Sequence, residues 1–174
     1  MRFKILALAG ILWTSTIVAG QGWLLEKSTR GSHAMSDADW PSDSSISLAP
    51  DKFTLLLFVH PRCACTKATL YELDRLMTRH ADNLAGCVAF SMADEFDTEL
   101  QRGKNTLWDQ AGLIPQVSKH KDFGNRECKR FAVDASGTAL LFSPEGSLRF
   151  AGGLTSSKGH CGISAGIQAI DLIL

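Results

Sequence analysis

Two cysteines separated by one residue are the strongest chemical signal in this sequence. Cys63 and Cys65 lie in the stretch LLLFVHPRCACTKATLYEL, where an apolar run gives way to a polar segment. A pair at this spacing can be a redox couple, two soft ligands for a metal ion, or two inert thiols. The surrounding residues help to distinguish these three chemistries.

The position of the pair favours a reactive thiolate. Pro61 cannot lie inside a helix, so the helix that follows must begin after it. The first turn of a helix presents unpaired amide donors and about half a positive charge, which stabilise a thiolate. Arg62 adds a fixed charge beside Cys63, and His60 adds another when it is protonated. We therefore expect Cys63 to be acidic and nucleophilic.

The spacing of the pair predicts a disulfide that is easily reduced. A disulfide needs Cα atoms about 4.4–6.8 Å apart, whereas two residues of extended chain span roughly 6.6–7.2 Å. A turn would bring Cys63 and Cys65 within bonding distance, in a small and strained ring. Such a bond suits exchange rather than permanent crosslinking. We expect Cys63 to form a mixed disulfide with a protein or small-molecule partner, and Cys65 to resolve it.

Two alternatives remain open at this point. In the first, Cys63 and Cys65 bind Cu(I) or Zn(II) together with His60 or His160, although no second Cys/His pair stands at metal-ligand spacing. In the second, the domain is a binding module whose cysteines have no function. Within the redox interpretation, His160 is a candidate proton donor or acceptor for Cys63, and no cofactor is expected.

Hydrophobic periodicity predicts an α/β sandwich. KFTLLLFVH and GCVAFSM are strand-length apolar runs, and the helix ACTKATLYELDRLMTRH lies between them. Two short helices, NTLWDQAGLI and GNRECKRFAV, follow. A hairpin of TALLFS and SLRFAGG and a final helix, ISAGIQAIDLIL, complete the chain. The order is a βαβ unit followed by a ββα unit, with a central mixed sheet flanked by helices.

The N-terminal region differs from the rest of the chain. Arg2 and Lys4 precede the uncharged segment 5–25, which is long enough as a helix to span a hydrocarbon core of about 30 Å. We expect a transmembrane anchor at 1–25, a flexible linker at 26–50 and an extracytoplasmic (periplasmic) domain at 51–174. A cleaved signal peptide is the alternative to the anchor.

Composition and the remaining cysteines limit the function further. The 174 residues carry no net charge and no basic block, so we expect no nucleic-acid partner. Five cysteines are too few for a disulfide scaffold. Cys87 lies in an apolar strand and is expected to be inert, whereas Cys128 lies on a polar helix. Cys161 is either a third redox thiol or an incidental surface cysteine, and a Cys128–Cys161 disulfide is a further alternative.

The cysteine stretch resembles the RedB family of short, membrane-tethered thioredoxin-fold proteins. The family pattern reads F-x-H-P-x-C-x-C-[ST]-x-A-[ST]-L-x-E-L, and the matching positions are His60, Pro61, Cys63, Cys65, Thr66, Ala68, Thr69, Leu70, Glu72 and Leu73. A second motif, Ser-Gly before a strand and Gly-Gly-[IL]-Thr leading to Gly-His, is matched by Ser136, Gly137, Gly152, Gly153, Thr155, Gly159 and His160.

The resemblance implies a thioredoxin-like fold and a thiol-disulfide role. It covers residues 53–160, which is most of the expected domain. Two departures stand out. Gly137 takes the place of the proline that faces the cysteines in thioredoxin, which leaves room for metal binding. After His160, where the family tends to continue with a polar pair, this chain has Ile163 and Ser164.

Overall fold

The computed structural model describes residues 13–16, 20–21, 39–92, 106–157 and 159–174. Met1–Ala34 and Met35–Leu174 are two separate compact units. The described residues of the first unit are helical. Within the described ranges, no helix is both long enough and apolar enough to cross a bilayer. Most of the expected anchor, residues 1–25, lies outside those ranges.

The second unit contains a five-stranded sheet with helices on both faces. Its strands are β1 (Phe53–Val59), β2 (Leu84–Met92), β3 (Val117–Phe123), β4 (Thr138–Phe142) and β5 (Leu148–Gly153). Its helices are α1 (Thr66–Arg79), α2 (Leu107–Leu113), α3 (Arg126–Arg130) and α4 (Ala165–Ile173). The strand order is β3-β2-β1-β4-β5, and β1 pairs parallel to β2 and antiparallel to β4. The expected α/β sandwich with a mixed sheet is confirmed.

The central strand β1 connects two apolar clusters. All of its residues after Phe53 are buried. Leu55 and Leu57 pack in the cluster that includes α1 and α4, whereas Leu56 and Phe58 pack in the cluster on the opposite face. Each fully buried side chain of this size contributes about 1.5–3 kcal/mol by leaving water. The end of β1, where the cysteines follow, is therefore held from both faces of the sheet.

Strand β3 is the one strand that the apolar pattern did not predict. It pairs parallel to β2 at an edge of the sheet, and its sequence, VSKHKDF, is mostly polar. Lys119 and Lys121 place their Nζ atoms 4.6 and 5.6 Å from the centre of the Trp108 ring. Lysines are common on edge strands because their charge opposes pairing with another chain. Such a strand has no continuous apolar run.

Residues 39–50, here called the N-terminal arm, pack on the face of the sheet that carries α3. The ring of Trp40 lies 5.1 Å from that of Phe131 and 5.0 Å from that of Phe142, measured between centroids. The buried carboxylate of Glu127 accepts hydrogen bonds from two arm hydroxyls, those of Ser44 and Ser45. The packed part of the chain thus begins before residue 51, and the division into anchor, linker and domain stays a prediction.

The first turn of α4 lies against the end of β5 at a pair of glycines. A Cβ atom on Gly166 would overlap the carbonyl oxygen of Gly153. Gly153 also lies in the wall of the cavity beside the cysteines. A close backbone approach therefore fixes the position of one side of the site.

We expect Gly166→Ala to lower the free energy of unfolding by about 1–3 kcal/mol, because the added methyl group would overlap rigid backbone. Gly112→Ala is the matched control. Its methyl group would meet only the flexible end of Lys119, and α2 would gain about 1 kcal/mol in helix propensity. Urea unfolding followed by tryptophan fluorescence measures both. An equal loss of stability in the two variants would contradict this account.

Candidate active site

The two cysteines lie in the turn that connects β1 to α1. Cys65 is the N-cap residue of α1, which has 14 residues, and Cys63 precedes it by two positions. Neither forms a disulfide bond, and their Sγ atoms are 2.6 Å apart. A disulfide bond is about 2.03–2.05 Å long. The turn therefore brings the sulfurs into contact at the positive end of a helix.

The backbone and ring of His60 organise this turn. Its carbonyl oxygen accepts hydrogen bonds from the N–H of Cys63 at 3.0 Å and from the hydroxyl of Thr66 at 3.1 Å. Its ring Nδ1 accepts from the N–H of Arg62 at 3.2 Å. A neutral ring that accepts at Nδ1 carries its proton on Nε2. The suggested effect of a protonated His60 on Cys63 stays a prediction.

Ser136 joins the turn to the loop before β4. Its Oγ accepts a hydrogen bond from the N–H of His60 at 2.9 Å. The next residue, Gly137, donates its N–H to the carbonyl oxygen of Phe58 at 2.8 Å and has a φ of 92°, a conformation that favours glycine. Because the Ser136 oxygen already accepts from His60, its own proton is available to the sulfur of Cys63.

The pKa of the Cys63 thiol is lowered from its ordinary value. The largest cause is a hydrogen bond from the thiol of Cys65, and burial opposes it in part. The N–H of Cys65 and the hydroxyl of Ser136 lower the pKa further. Each of these donors stabilises the thiolate more than the thiol. The sequence predicted the helix end, Arg62 and a protonated His60 as causes, and it did not predict the contribution of Ser136. The role of Arg62, which is exposed, stays a prediction.

A cavity of about 190 Å³ opens beside the two sulfurs. Gly137 and Gly153 form part of its wall, which places Gly137 beside the cysteines as the sequence comparison with thioredoxin implied. The rest of the wall consists of hydroxyl-bearing residues, namely Thr66, Thr69, Ser136, Thr155 and Ser157. Hydroxyl groups both donate and accept hydrogen bonds. Among the residues that the structure describes, the wall of this cavity contains no charged side chain, which suits a polar partner.

One wall of this cavity belongs to the loop between β5 and α4, residues 154–164. Ser164 closes the loop, because its hydroxyl donates to the carbonyl oxygen of Leu154 at 2.7 Å. Glu72, on α1, is only 2% exposed, and one of its oxygens accepts from the N–H of Gly162 at 2.6 Å. A residue of the helix that begins at the cysteines thus holds the loop that faces them.

His160 lies in the same loop but outside the lining of the cavity. It is exposed, and its Nδ1 is 2.8 Å from the hydroxyl of Ser157. Ser157 does line the cavity. The structure therefore places His160 one side chain away from the site that contains Cys63, and its role in proton transfer stays a prediction.

The three other cysteines have distinct environments. Burial raises the pKa of Cys87. Burial, together with a hydrogen bond to Asp122 and the charge of that carboxylate, raises the pKa of Cys128 to about 12. Both thiols are therefore protonated and unreactive at neutral pH. Cys161 is exposed, and it and Cys128 are both free thiols.

The alternative metal site would need three ligands to converge. Across the part of the chain that the structure describes, no three His, Cys, Asp or Glu side chains are grouped so that they could hold a metal ion. The set named from the sequence, Cys63, Cys65 and His60, is therefore not assembled as a three-ligand site. The ring of His60 instead accepts a backbone hydrogen bond within the turn.

Comparisons with known proteins show what this chain resembles in fold. No protein-family model matches the sequence, and no curated protein matches it. A hypothetical protein from Sinorhizobium meliloti is similar in structure, with 16% identity, a TM-score of 0.57 and coverage of 82% of each chain. An uncharacterized conserved protein from Geobacillus kaustophilus has 16% identity and a TM-score of 0.54, with 79% of this chain and 74% of that chain covered.

A thioredoxin-like protein solved in its oxidized form is also similar. It shares 16% identity and gives a TM-score of 0.51, with coverage of 82% of this chain and 90% of that chain. Identities at this level support a statement about fold and not about activity. The strand order, the mixed sheet and the cysteines at the start of α1 agree with that likeness. The chain has a thioredoxin-like fold.

We expect Ser136→Ala to raise the pKa of Cys63, because the substitution removes a donor to the thiolate. The thiol is partly exposed and can therefore be alkylated by iodoacetamide. Because a higher pKa leaves less thiolate, the rate at neutral pH should fall about three- to tenfold, and the midpoint of the pH–rate profile should move to higher pH. Mass spectrometry of a Cys161→Ser background identifies the modified residue. Ser118→Ala, which removes a hydroxyl bonded to Gly86, is the control. An unchanged midpoint in Ser136→Ala would refute the assignment.

We expect Glu72→Leu to lower the free energy of unfolding by about 1–3 kcal/mol, because the N–H of Gly162 would lose its acceptor. Glu72→Gln keeps an amide oxygen at this position and should lose less than half as much. Urea unfolding gives the stabilities, and hydrogen exchange at Gly162 reports the local bond. Equal losses in the two variants would show that the carboxylate, and not the acceptor, is required.

Proposed function

We propose that this protein is a membrane-tethered, extracytoplasmic thiol-disulfide oxidoreductase of the RedB type. The observation that carries the proposal is the contact between the sulfurs of Cys63 and Cys65 at the N-terminal end of α1. The lowered pKa of Cys63 adds the nucleophilic character that exchange requires. The thioredoxin-like fold supports the same class of reaction by analogy only.

In the reducing direction, the thiolate of Cys63 attacks one sulfur of a partner disulfide. A bond forms between Cys63 and that sulfur, and the other partner sulfur leaves as a thiolate. Cys65 then loses its proton and attacks the Sγ of Cys63. The Cys63–Cys65 disulfide forms, and the partner leaves with both of its sulfurs reduced. Two electrons pass from the protein to the partner, and the oxidising direction reverses these steps.

The neighbouring residues support these steps in different ways. Ser136 and the N–H of Cys65 stabilise the thiolate of Cys63, both before attack and when it acts as the leaving group. Arg62 adds positive charge near the turn, and His160, hydrogen-bonded to Ser157, is the candidate for transferring protons at the cavity. No cofactor enters this scheme, because both electrons reside on sulfur.

The membrane tether is the part of the proposal that rests on sequence. The uncharged segment 5–25 follows Arg2 and Lys4, and it has the length of a membrane-spanning helix. The resemblance of the cysteine motif to a family of membrane-tethered proteins supports the same location. Disulfides form and persist in oxidising compartments outside the cytoplasm, so a reducible disulfide there can exchange with the thiols and disulfides of other molecules.

The decisive experiment measures the redox couple in the full chain, purified in detergent, with Cys161→Ser to remove the exposed thiol. After equilibration in glutathione buffers of graded potential, mass spectrometry determines the fraction of Cys63–Cys65 disulfide. We expect a reversible two-electron transition. Cys65→Ser should accumulate a mixed disulfide on Cys63, because the resolving thiol is gone, and Cys63→Ser should lose exchange activity.

Three outcomes would contradict the redox function. The first is the absence of any Cys63–Cys65 bond at oxidising potentials. The second is full exchange activity in Cys63→Ser. The third is a protein that forms no Cys63–Cys65 disulfide but binds Cu(I) stoichiometrically through both cysteines. That result would identify a metal-handling protein instead. Cys87→Ser is the control that removes a buried thiol, and it should leave the transition unchanged.

A further inference from the structure

A second and larger cavity lies next to the cysteine turn. Its volume is about 370 Å³, within the range of small-molecule sites. It opens at the ends of β1 and β2 and extends to α3 and the loop before β4. Its lining includes Ser91 of β2, whereas the lining of the hydroxyl-lined cavity includes Gly153 of β5.

The lining of the larger cavity combines an apolar floor with a rim of both charges. Phe58, which is 1% exposed, and the half-buried Val133 form part of the floor. Lys129 and Asp134 lie in the rim, and both are exposed. The ammonium group of Lys129 donates one hydrogen bond to the carbonyl oxygen of Gly124 at 3.1 Å. An ammonium group has three protons, so it can also bind a carboxylate.

The two cavities meet at Ser136, which lines both of them. His60, the first residue of the turn, lies in the larger cavity, and its N–H donates to the oxygen of Ser136. Cys63 lies in the smaller cavity, on the other side of the same hydroxyl. The larger cavity is therefore adjacent, at one small side chain, to the cavity that contains the reactive sulfur.

We propose that the larger cavity binds a low-molecular-weight thiol or disulfide that carries both a carboxylate and an ammonium group. Lys129 binds the carboxylate, Asp134 binds the ammonium group, and the apolar floor contacts the aliphatic part of the ligand. The inference rests on the proposed exchange function, because it names the partner class of the same cysteine pair. Complementary charges of this kind give specificity at modest affinity.

Reduction of the Cys63–Cys65 disulfide by such a ligand takes two exchange steps. The thiolate of the ligand attacks the Cys63 sulfur of the Cys63–Cys65 disulfide, forms a mixed disulfide and releases the thiolate of Cys65. A second ligand thiolate attacks the ligand sulfur of that mixed disulfide and releases Cys63. The products are the dithiol protein and one ligand disulfide. Two electrons pass from the two ligand thiols to the protein.

The test compares thiols that share one tripeptide and differ in charge, using the oxidised full chain in detergent with Cys161→Ser. Glutathione carries carboxylates and an ammonium group, its diethyl ester lacks the carboxylates, and N-acetylglutathione lacks the ammonium group. Each rate is divided by the rate of the same thiol with hydroxyethyl disulfide, which removes differences in intrinsic reactivity. We expect glutathione to react roughly three- to fivefold faster than either derivative, the size expected for exposed charge pairs.

Variants assign the preference to the two rim residues. Lys129→Gln should abolish the preference over the diethyl ester, and Asp134→Asn should abolish the preference over N-acetylglutathione. Lys67→Gln is the control, because it removes an exposed charge near the start of α1 but outside this cavity. Lys67→Gln should leave both preferences for glutathione unchanged.

The outcomes separate this inference from the proposed function. If 2-mercaptoethanol also fails to reduce the Cys63–Cys65 bond, the exchange function itself fails. If 2-mercaptoethanol reacts but the three tripeptide thiols show equal normalised rates, only the binding inference is overturned. A preference for glutathione that survives both rim substitutions, or that Lys67→Gln also removes, overturns it as well, because the preference would then come from the general charge of the surface.

Discussion

The hydrogen bond from the backbone of His60 to the hydroxyl of Ser136 is the contact on which the site depends. It attaches the end of β1 to the loop before β4, two segments that are far apart in sequence. The carbonyl oxygen of the same histidine receives the N–H of Cys63. The turn is therefore held on one side by the sheet and on the other by its own backbone.

Buried carboxylates hold the irregular segments around this sheet. Glu72, Asp122 and Glu127 are each no more than 2% exposed. Each accepts a hydrogen bond from at least one backbone N–H of a loop, helix start or arm. A buried carboxylate is costly without such donors, and loop amides have no strand or helix partner to satisfy them. Each hydrogen bond gives a buried carboxylate its donor and a loop amide its acceptor. These bonds fix the positions of the loop near Cys161, the start of α3 and the N-terminal arm.

The sequence predicts the elements whose burial is periodic, and it misses the contacts that join distant segments. β1, β2 and α1 follow from their apolar patterns, and Pro61 places the cysteines at the helix start. β3 has no apolar run, because it is an edge strand with lysines on its surface. Ser136 matches the second motif of the resemblance, but its contact with Cys63 follows only from the fold. The burial of Glu72 could have been predicted, since it lies beside Leu73 on the apolar side of α1. Its hydrogen-bond partner, Gly162, could not.

The position of Ser136 between two cavities has a thermodynamic consequence. Its hydroxyl interacts with the sulfur of Cys63 on one side and borders the larger cavity on the other. Any molecule that binds in that cavity and changes the orientation of the hydroxyl also changes the acidity of Cys63. Linkage is reciprocal, so ionisation of Cys63 must change the affinity for that molecule by the same factor. Occupancy of the larger cavity and nucleophilicity of Cys63 are therefore thermodynamically coupled through the hydroxyl of Ser136.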